Sequence, residues 1–131
     1  MAATMQMHHE EDPKDKILKE LGDISDVEIF NNQVLLAVYI RPEKTKSGIY
    51  LSDKVKDEDR FQGKVGLLVK RGPAAFVDDG EWFSGMDFSE AKDWLIYRPS
   101  EGWQITVNGV LCRIFQDVDI KGRISHPDRV F

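Results

Sequence analysis

The sequence predicts an all-β fold: a small, irregular barrel with one short N-terminal helix and extended terminal arms. Three observations predict it. Short runs rich in β-branched and aromatic residues recur at close spacing between Gly, Pro, Asn and Asp turn signals. Only one segment carries helix start and stop signals. The glycines of Gln62-Gly63-Lys64-Val65-Gly66 fall inside a strand pattern, where they suit a strongly bent sheet. At 131 residues and 41% hydrophobic content, the chain is read as one domain with a real core.

Residues 1–11 are polar and patternless and are expected to form a tail, with His8 and His9 solvated rather than bound to a metal. They show neither a charged n-region nor an apolar h-region, and no apolar run reaches about 18 residues. The chain is therefore expected neither to carry a standard secretory signal nor to span a membrane. Asp12 stands where an N-cap belongs, Pro13 suits the first helical position, Asp15 complements the helix dipole and Gly22 ends the run. Ile17, Leu18 and Leu21 share one face. A helix of about nine residues is marginal alone, so that face must dock on the main body or on a neighbouring subunit.

Strand patterns follow. Val27-Glu28-Ile29-Phe30 is compatible with a short strand, Asn31-Asn32 with a turn, and residues 33–40 with a near-continuous apolar strand that Arg41-Pro42 stops. Residues 61–70 resume a strand, and Arg71-Gly72-Pro73 breaks it. Between Ala74 and Lys92, Asp78-Asp79-Gly80 and Ser84-Gly85-Met86-Asp87 read as turns around a brief strand at Glu81-Trp82-Phe83. Residues 94–98 form the next strand, and Pro99-Ser100-Glu101-Gly102 turns the chain into 103–107, where Trp103, Ile105 and Val107 alternate. Asn108-Gly109 then predicts a hairpin, because both central residues of a type I′ turn need positive φ. Residues 110–115 return, 118–122 make the last short strand, and 125–131 are expected to form an extended tail ending on Phe131.

Charge and chemistry exclude several functions. With 18 Lys and Arg against 23 Asp and Glu, the net charge is −5, and no basic block exceeds two residues. Nucleic acid and an anionic membrane are poor partners for such a chain. Cys112 is the single cysteine, which excludes an internal disulfide and a Cys-based zinc cluster, and reads as core. No Walker loop, Gly-x-Ser-x-Gly, His-Glu-x-x-His or Cys-x-x-Cys occurs. The three histidines lie in the two tails, where nothing rigid would orient a general base. Asp78, Asp79 and Glu81, and likewise Asp117 and Asp119, read as solvated loop acids. No enzyme, metal site or cofactor is expected.

The informative segment runs from Glu43 to Arg60. Its only large apolar side chains are Ile49, Tyr50, Leu51 and Val55, among five acids and five bases. A long loop is expected here, mobile when free. Ile49 and Leu51 alternate, so an extended segment would offer both to one groove of a partner, with Gly48 allowing the bend into it. A segment that orders on binding keeps the complex reversible. From composition alone, Ile49-Tyr50-Leu51 can equally be another strand.

Pro42-Glu43-Lys44-Thr45-Lys46-Ser47-Gly48-Ile49-Tyr50-Leu51 resembles the Glu-x-x-Thr-x-x-Gly-Ile-x-Leu pattern of the chaperonin-10, or GroES, family of co-chaperonins, in particular its diverged versions in tailed bacteriophages and prophages. Gly63-Lys64-Val65 is similar to the family's Gly-x-Val, residues 92–97 to its Gly-Asp-x-Val-x-Phe, and Val118-Asp119-Ile120 to its closing Asp-Ile strand. The resemblance covers about residues 33–124 and implies a GroES-like β-barrel that includes a mobile loop at 43–60. Residues 1–32 would then be an N-terminal arm with a short helix and 125–131 a C-terminal tail. It implies a seven-membered ring capping a bacterial, GroEL-like chaperonin in the cytoplasm of the bacterial host. Gly48, Ile49, Tyr50 and Leu51 would be the chaperonin-binding residues, and ATP would be bound by the partner, not by this chain.

The chain departs from the family at both ends and in the aromatic stretch of Trp82, Phe83 and Phe88, which replaces a recognisable roof hairpin. Two functional readings follow. One is a phage-type co-chaperonin that assists folding of a capsid protein; the other is a virion component, a head-decorating or connecting subunit on the same barrel whose partners are capsid proteins. The GroES-like domain of zinc alcohol dehydrogenases is set aside, since the dinucleotide domain and the cysteine ligands are missing.

Overall fold

The computed structural model describes residues 11–41, 58–60, 62–77 and 93–130. In chain order these form helix α1 (Pro13–Leu21) and strands β1 (Gln33–Val38), β2 (Val65–Arg71), β3 (Trp94–Tyr97), β4 (Trp103–Val107), β5 (Val110–Gln116) and β6 (Ile120–Ile124). Short 3-10 turns stand at Pro99–Glu101, Asp117–Asp119 and Pro127–Arg129. Among the described residues all six strands lie in one antiparallel sheet, in the order β4-β5-β1-β2-β3-β6.

β1 is apolar almost throughout because it is covered on both faces. Val34 and Leu36 point to one side, with Leu68, Leu95, Tyr97 and Phe115. Leu35, Ala37 and Tyr39 point to the other, with Leu67, Val69, Trp94 and Cys112. The first of these clusters is the inside of a curl. Tyr97 on β3 and Phe115 on β5 have ring centroids 4.5 Å apart, although β1 and β2 separate their strands in the sheet. Three strand spacings in a flat sheet would hold them about 14 Å apart. Gly66 makes room for this closure: a Cβ there would lie 2.8 Å from the Ala37 carbonyl oxygen and 3.2 Å from the Tyr97 ring.

The second cluster is the outer face, and helix α1 and Val130 cover it. Asp12 caps α1 by accepting from the Lys14 N–H at 2.8 Å, and Ile17 and Leu21 are buried against the sheet with Leu18 beside them. The Asn108 side chain donates to the Leu21 carbonyl at 2.6 Å, fixing the helix end to the β4-β5 hairpin. Of the two docking options left by the sequence, the helix takes its own barrel. Asn108 and Gly109 have φ of +50° and +81°, the I′ turn expected of them.

Four segments differ from the sequence reading. Residues 27–30 form no strand; Val27 and Ile29 instead lie half-buried on the outer cluster, since both edges of β1 are already paired with β5 and β2. The last strand begins at Ile120 rather than 118, because Asp117–Asp119 turns as a 3-10 element capped reciprocally by Gln116 and Asp119. Asp117 is not a solvated loop acid: it is 5% exposed and accepts from the Asn32 side chain at 2.9 Å and the Phe76 N–H at 3.1 Å. The C-terminal tail, expected to be extended, folds back as the Pro127–Arg129 turn, burying Pro127 and Asp128. The expected strand at 81–83, the acids Asp78, Asp79 and Glu81, the aromatic stretch 82–88 and the pair His8-His9 lie outside the described residues.

Candidate functional site

Gly48, Ile49, Tyr50 and Leu51 lie outside the described residues, so the structure speaks to the frame that holds the two ends of their segment. The upstream end leaves β1 through Tyr39, whose N–H donates to the Val65 carbonyl at 3.2 Å and so continues the ladder. Its hydroxyl donates to the Asp128 carboxylate, a buried contact between the barrel and the C-terminal turn. Its ring meets Trp94 edge-on, with centroids 5.6 Å apart. Burial, then the hydrogen bond to Asp128, then the negative charges of Asp128 and Asp59 push the Tyr39 hydroxyl far above the usual phenol range, and Arg41 offsets this in part. Tyr39 is therefore a permanent donor.

The downstream end is a helical turn. Residues 58–60 and 62 are helical, and the Gly63 N–H donates to the Asp59 carbonyl at 3.1 Å. Any Cβ at Gly63 would stand 2.5 Å from that carbonyl oxygen, which makes glycine a requirement of this turn. Arg113, reaching from β5, donates to the Arg60 carbonyl at 3.2 Å and to the Pro99 carbonyl at 3.3 Å.

A buried ion pair joins the two ends. Asp59 is 2% exposed and the Arg41 side chain 13%. Asp59 Oδ2 accepts from the Arg41 backbone N–H at 2.8 Å and from Nε at 2.9 Å, while Oδ1 accepts from Nη2 at 2.8 Å and from Nε at 3.2 Å. A planar fork on a carboxylate fixes orientation as well as distance. The sequence reading singled out the segment but not this pair. Asp59 is one of five acids in a charged run, and nothing in its neighbours marks it as the buried one.

Little else here suggests chemistry. Burial pushes the Cys112 thiol up to about 11, so it is no nucleophile near neutral pH. His126 serves its own turn, its Nδ1 accepting from the Asp128 N–H at 3.2 Å. Among the described residues no three His, Cys, Asp or Glu side chains are grouped to hold a metal ion, and no helix is long and apolar enough to cross a membrane. A cleft of about 320 Å³ between α1 and the β3-β6 pair is lined by Lys14, Asp93, Trp94, Arg123, Ile124 and Ser125. Arg123 and Asp93 pair within it at 3.4 Å.

Residues 26–124 match the family model described as the chaperonin 10 kDa subunit. The chain is also 30% identical over 92 residues to the co-chaperonin GroES of Syntrophomonas wolfei subsp. wolfei (strain DSM 2245B / Goettingen), covering 70% of this chain and 90% of that protein. The matched range holds all six strands and both ends of the segment 42–58. Helix α1 and the Pro127–Arg129 turn fall outside it.

Proposed function

Because the chain belongs to the chaperonin-10 family, we propose that it is a co-chaperonin that caps a bacterial, GroEL-like chaperonin and binds it through Gly48, Ile49, Tyr50 and Leu51. One observation carries the reading: the family match spans the whole barrel and runs through this segment. The frame agrees with it, since two anchored ends present the intervening residues from one place on the barrel. The apolar triplet enters the partner's groove and ATP stays on the partner. Several such loops on one ring bind together, which makes individually weak contacts firm. The enclosed substrate is read as a phage capsid protein, as the resemblance of residues 42–51 to the family's diverged bacteriophage versions implies.

The test is the double substitution Ile49→Ser/Leu51→Ser. It is expected to abolish ATP-dependent binding to a bacterial chaperonin while circular dichroism and the melting curve of the barrel stay as in the unaltered protein. Undiminished capping by the double variant would remove the binding assignment. For the substrate, co-expression with the capsid protein and the chaperonin is expected to raise the soluble capsid yield, and an unchanged yield overturns that part.

A further inference from the structure

We propose that the cleft between α1 and the β3-β6 pair is a binding site for a small monocarboxylate with an apolar body, held through its carboxylate by Lys14 and Arg123. Such a ligand is bound whether or not the chain caps a chaperonin.

Lys14 is a side chain that local structure does not explain. It takes the second position of α1, after the Asp12 cap and Pro13, and a cation in the first turn of a helix opposes the dipole. It is half-buried in the wall of the cleft, and among the described residues it pairs with no carboxylate. A residue that breaks a local rule without a compensating contact marks a place where function overrides stability. The β6 wall supplies a second cation, Arg123, whose Nη1 lies 3.4 Å from Asp93 Oδ2. Both partners of that pair are partly exposed, and ion pairs of this kind contribute little, so an incoming anion can share the guanidinium fork.

The lining sets the class of ligand. Lys14 and Arg123 stand against Asp93, which leaves one positive charge uncompensated. Asp12 and Asp15 are exposed and are not part of the walls, and Asp12 is occupied by the Lys14 N–H. One spare charge suits a monoanion, whereas a phosphate dianion beside Asp93 meets repulsion. A planar carboxylate also matches the guanidinium fork. Ser125 Oγ accepts from Arg129 Nη1 at 3.2 Å, so its own proton remains to donate to a carboxylate oxygen. The rest of the lining is apolar, Trp94 and Ile124 of the outer cluster, and the ligand's body rests there. A volume of about 320 Å³ lies at the small end of the range of small-molecule sites. Because α1 forms one wall and β6 another, the ligand also ties the helix to the barrel.

The experiment titrates the full-length protein with phenylacetate, with its neutral counterpart phenylacetamide, and with inorganic phosphate at mildly alkaline pH, where phosphate is a dianion. Nuclear magnetic resonance follows the amide signals of Lys14, Trp94 and Arg123, and hydrogen exchange follows α1. Phenylacetate is expected to shift those signals saturably, to slow exchange in α1, and to bind about tenfold or more tighter than phenylacetamide or phosphate. Lys14→Met and Arg123→Gln are each expected to weaken phenylacetate binding about tenfold. The melting curve of Lys14→Met is expected to be unchanged or raised, since the cation opposes the helix dipole; a purely structural Lys14 would lower it. Absence of saturable shifts, equal binding of phenylacetate and phenylacetamide, or tighter binding of phosphate overturns the proposal. So does undiminished phenylacetate binding by folded Lys14→Met. Should Arg123→Gln fail to fold, Lys14→Met decides by the same criterion.

Discussion

Three acids that look alike in the sequence are buried by partners far along the chain. Asp59 meets Arg41 at a separation of 18 residues, Asp117 meets Asn32 at 85, and Asp128 meets Tyr39 at 89. Burying a carboxylate without donors is costly, so each is found only where donors converge. The Tyr39 contact has a measurable consequence. Its hydroxyl titrates near 10.0 when unfolded and well above that in the barrel, and burial shifts Tyr97 in the same direction. A raised folded value means that the contribution is fully present below pH 10.0 and is lost as pH rises beyond it. Urea unfolding between neutral and alkaline pH is expected to show stability falling from about pH 9 upward through the Cys112 thiol, and more steeply above about pH 10 through the two tyrosines. In Tyr39→Phe that fall should be shallower, with the Tyr97 and Cys112 shares remaining. At neutral pH the variant should be less stable by about 1–3 kcal/mol, because Asp128 loses the Tyr39 hydroxyl as a donor. An unchanged alkaline slope would count against the assignment.

At the level of elements, helix α1 shows how a marginal segment is fixed. Its nine residues have an N-cap and a proline start, but the face of Ile17, Leu18 and Leu21 supplies the adhesion. Leu21 is 1% exposed, so Leu21→Ala is expected to cost about 2–5 kcal/mol in urea unfolding. A cost below about 1 kcal/mol would mean that the helix is not part of the cooperative barrel. The C-terminal turn is fixed differently, by one buried carboxylate and by Val130 on the outer cluster. Strands with an apolar pattern and turns with obligatory residues were legible in the sequence: β1, β4, the Asn108-Gly109 turn and β5 need only local chemistry. Residues 27–30 were misread because strand propensity is local while an unpaired edge to join is not. The candidate segment stands out by its composition, and the ion pair between its ends does not, since one charge among ten cannot be told apart before the chain is folded.

For the whole molecule, the curl that brings Tyr97 to Phe115 leaves β4 and β6 as the outer strands of the sheet. Among the described residues nothing further pairs with these two strands, and outer strands invite pairing between copies. The full-length protein is expected to run as a seven-membered ring in native mass spectrometry, and a monomer or trimer would contradict the ring. Of the residues outside the family match, helix α1 and Val130 pack on the barrel's own outer face. Exposed Phe30, Val77 and Val118 flank the junction that Asp117 ties together, since each is next to or near one of its bonded residues.

By itself the sequence determined the fold class, the order of most strands, the hairpin and the helix, and it marked a charged segment with one apolar triplet. Each depends on periodicity, turn residues or composition, which act over a few neighbouring positions. Only the tertiary structure decided which face of the sheet is inside, that both described terminal elements pack on the barrel, and that Arg41 and Asp59 meet. Those outcomes depend on contacts between residues distant in the chain, and a contact of that kind has no local signature until the sheet has curled.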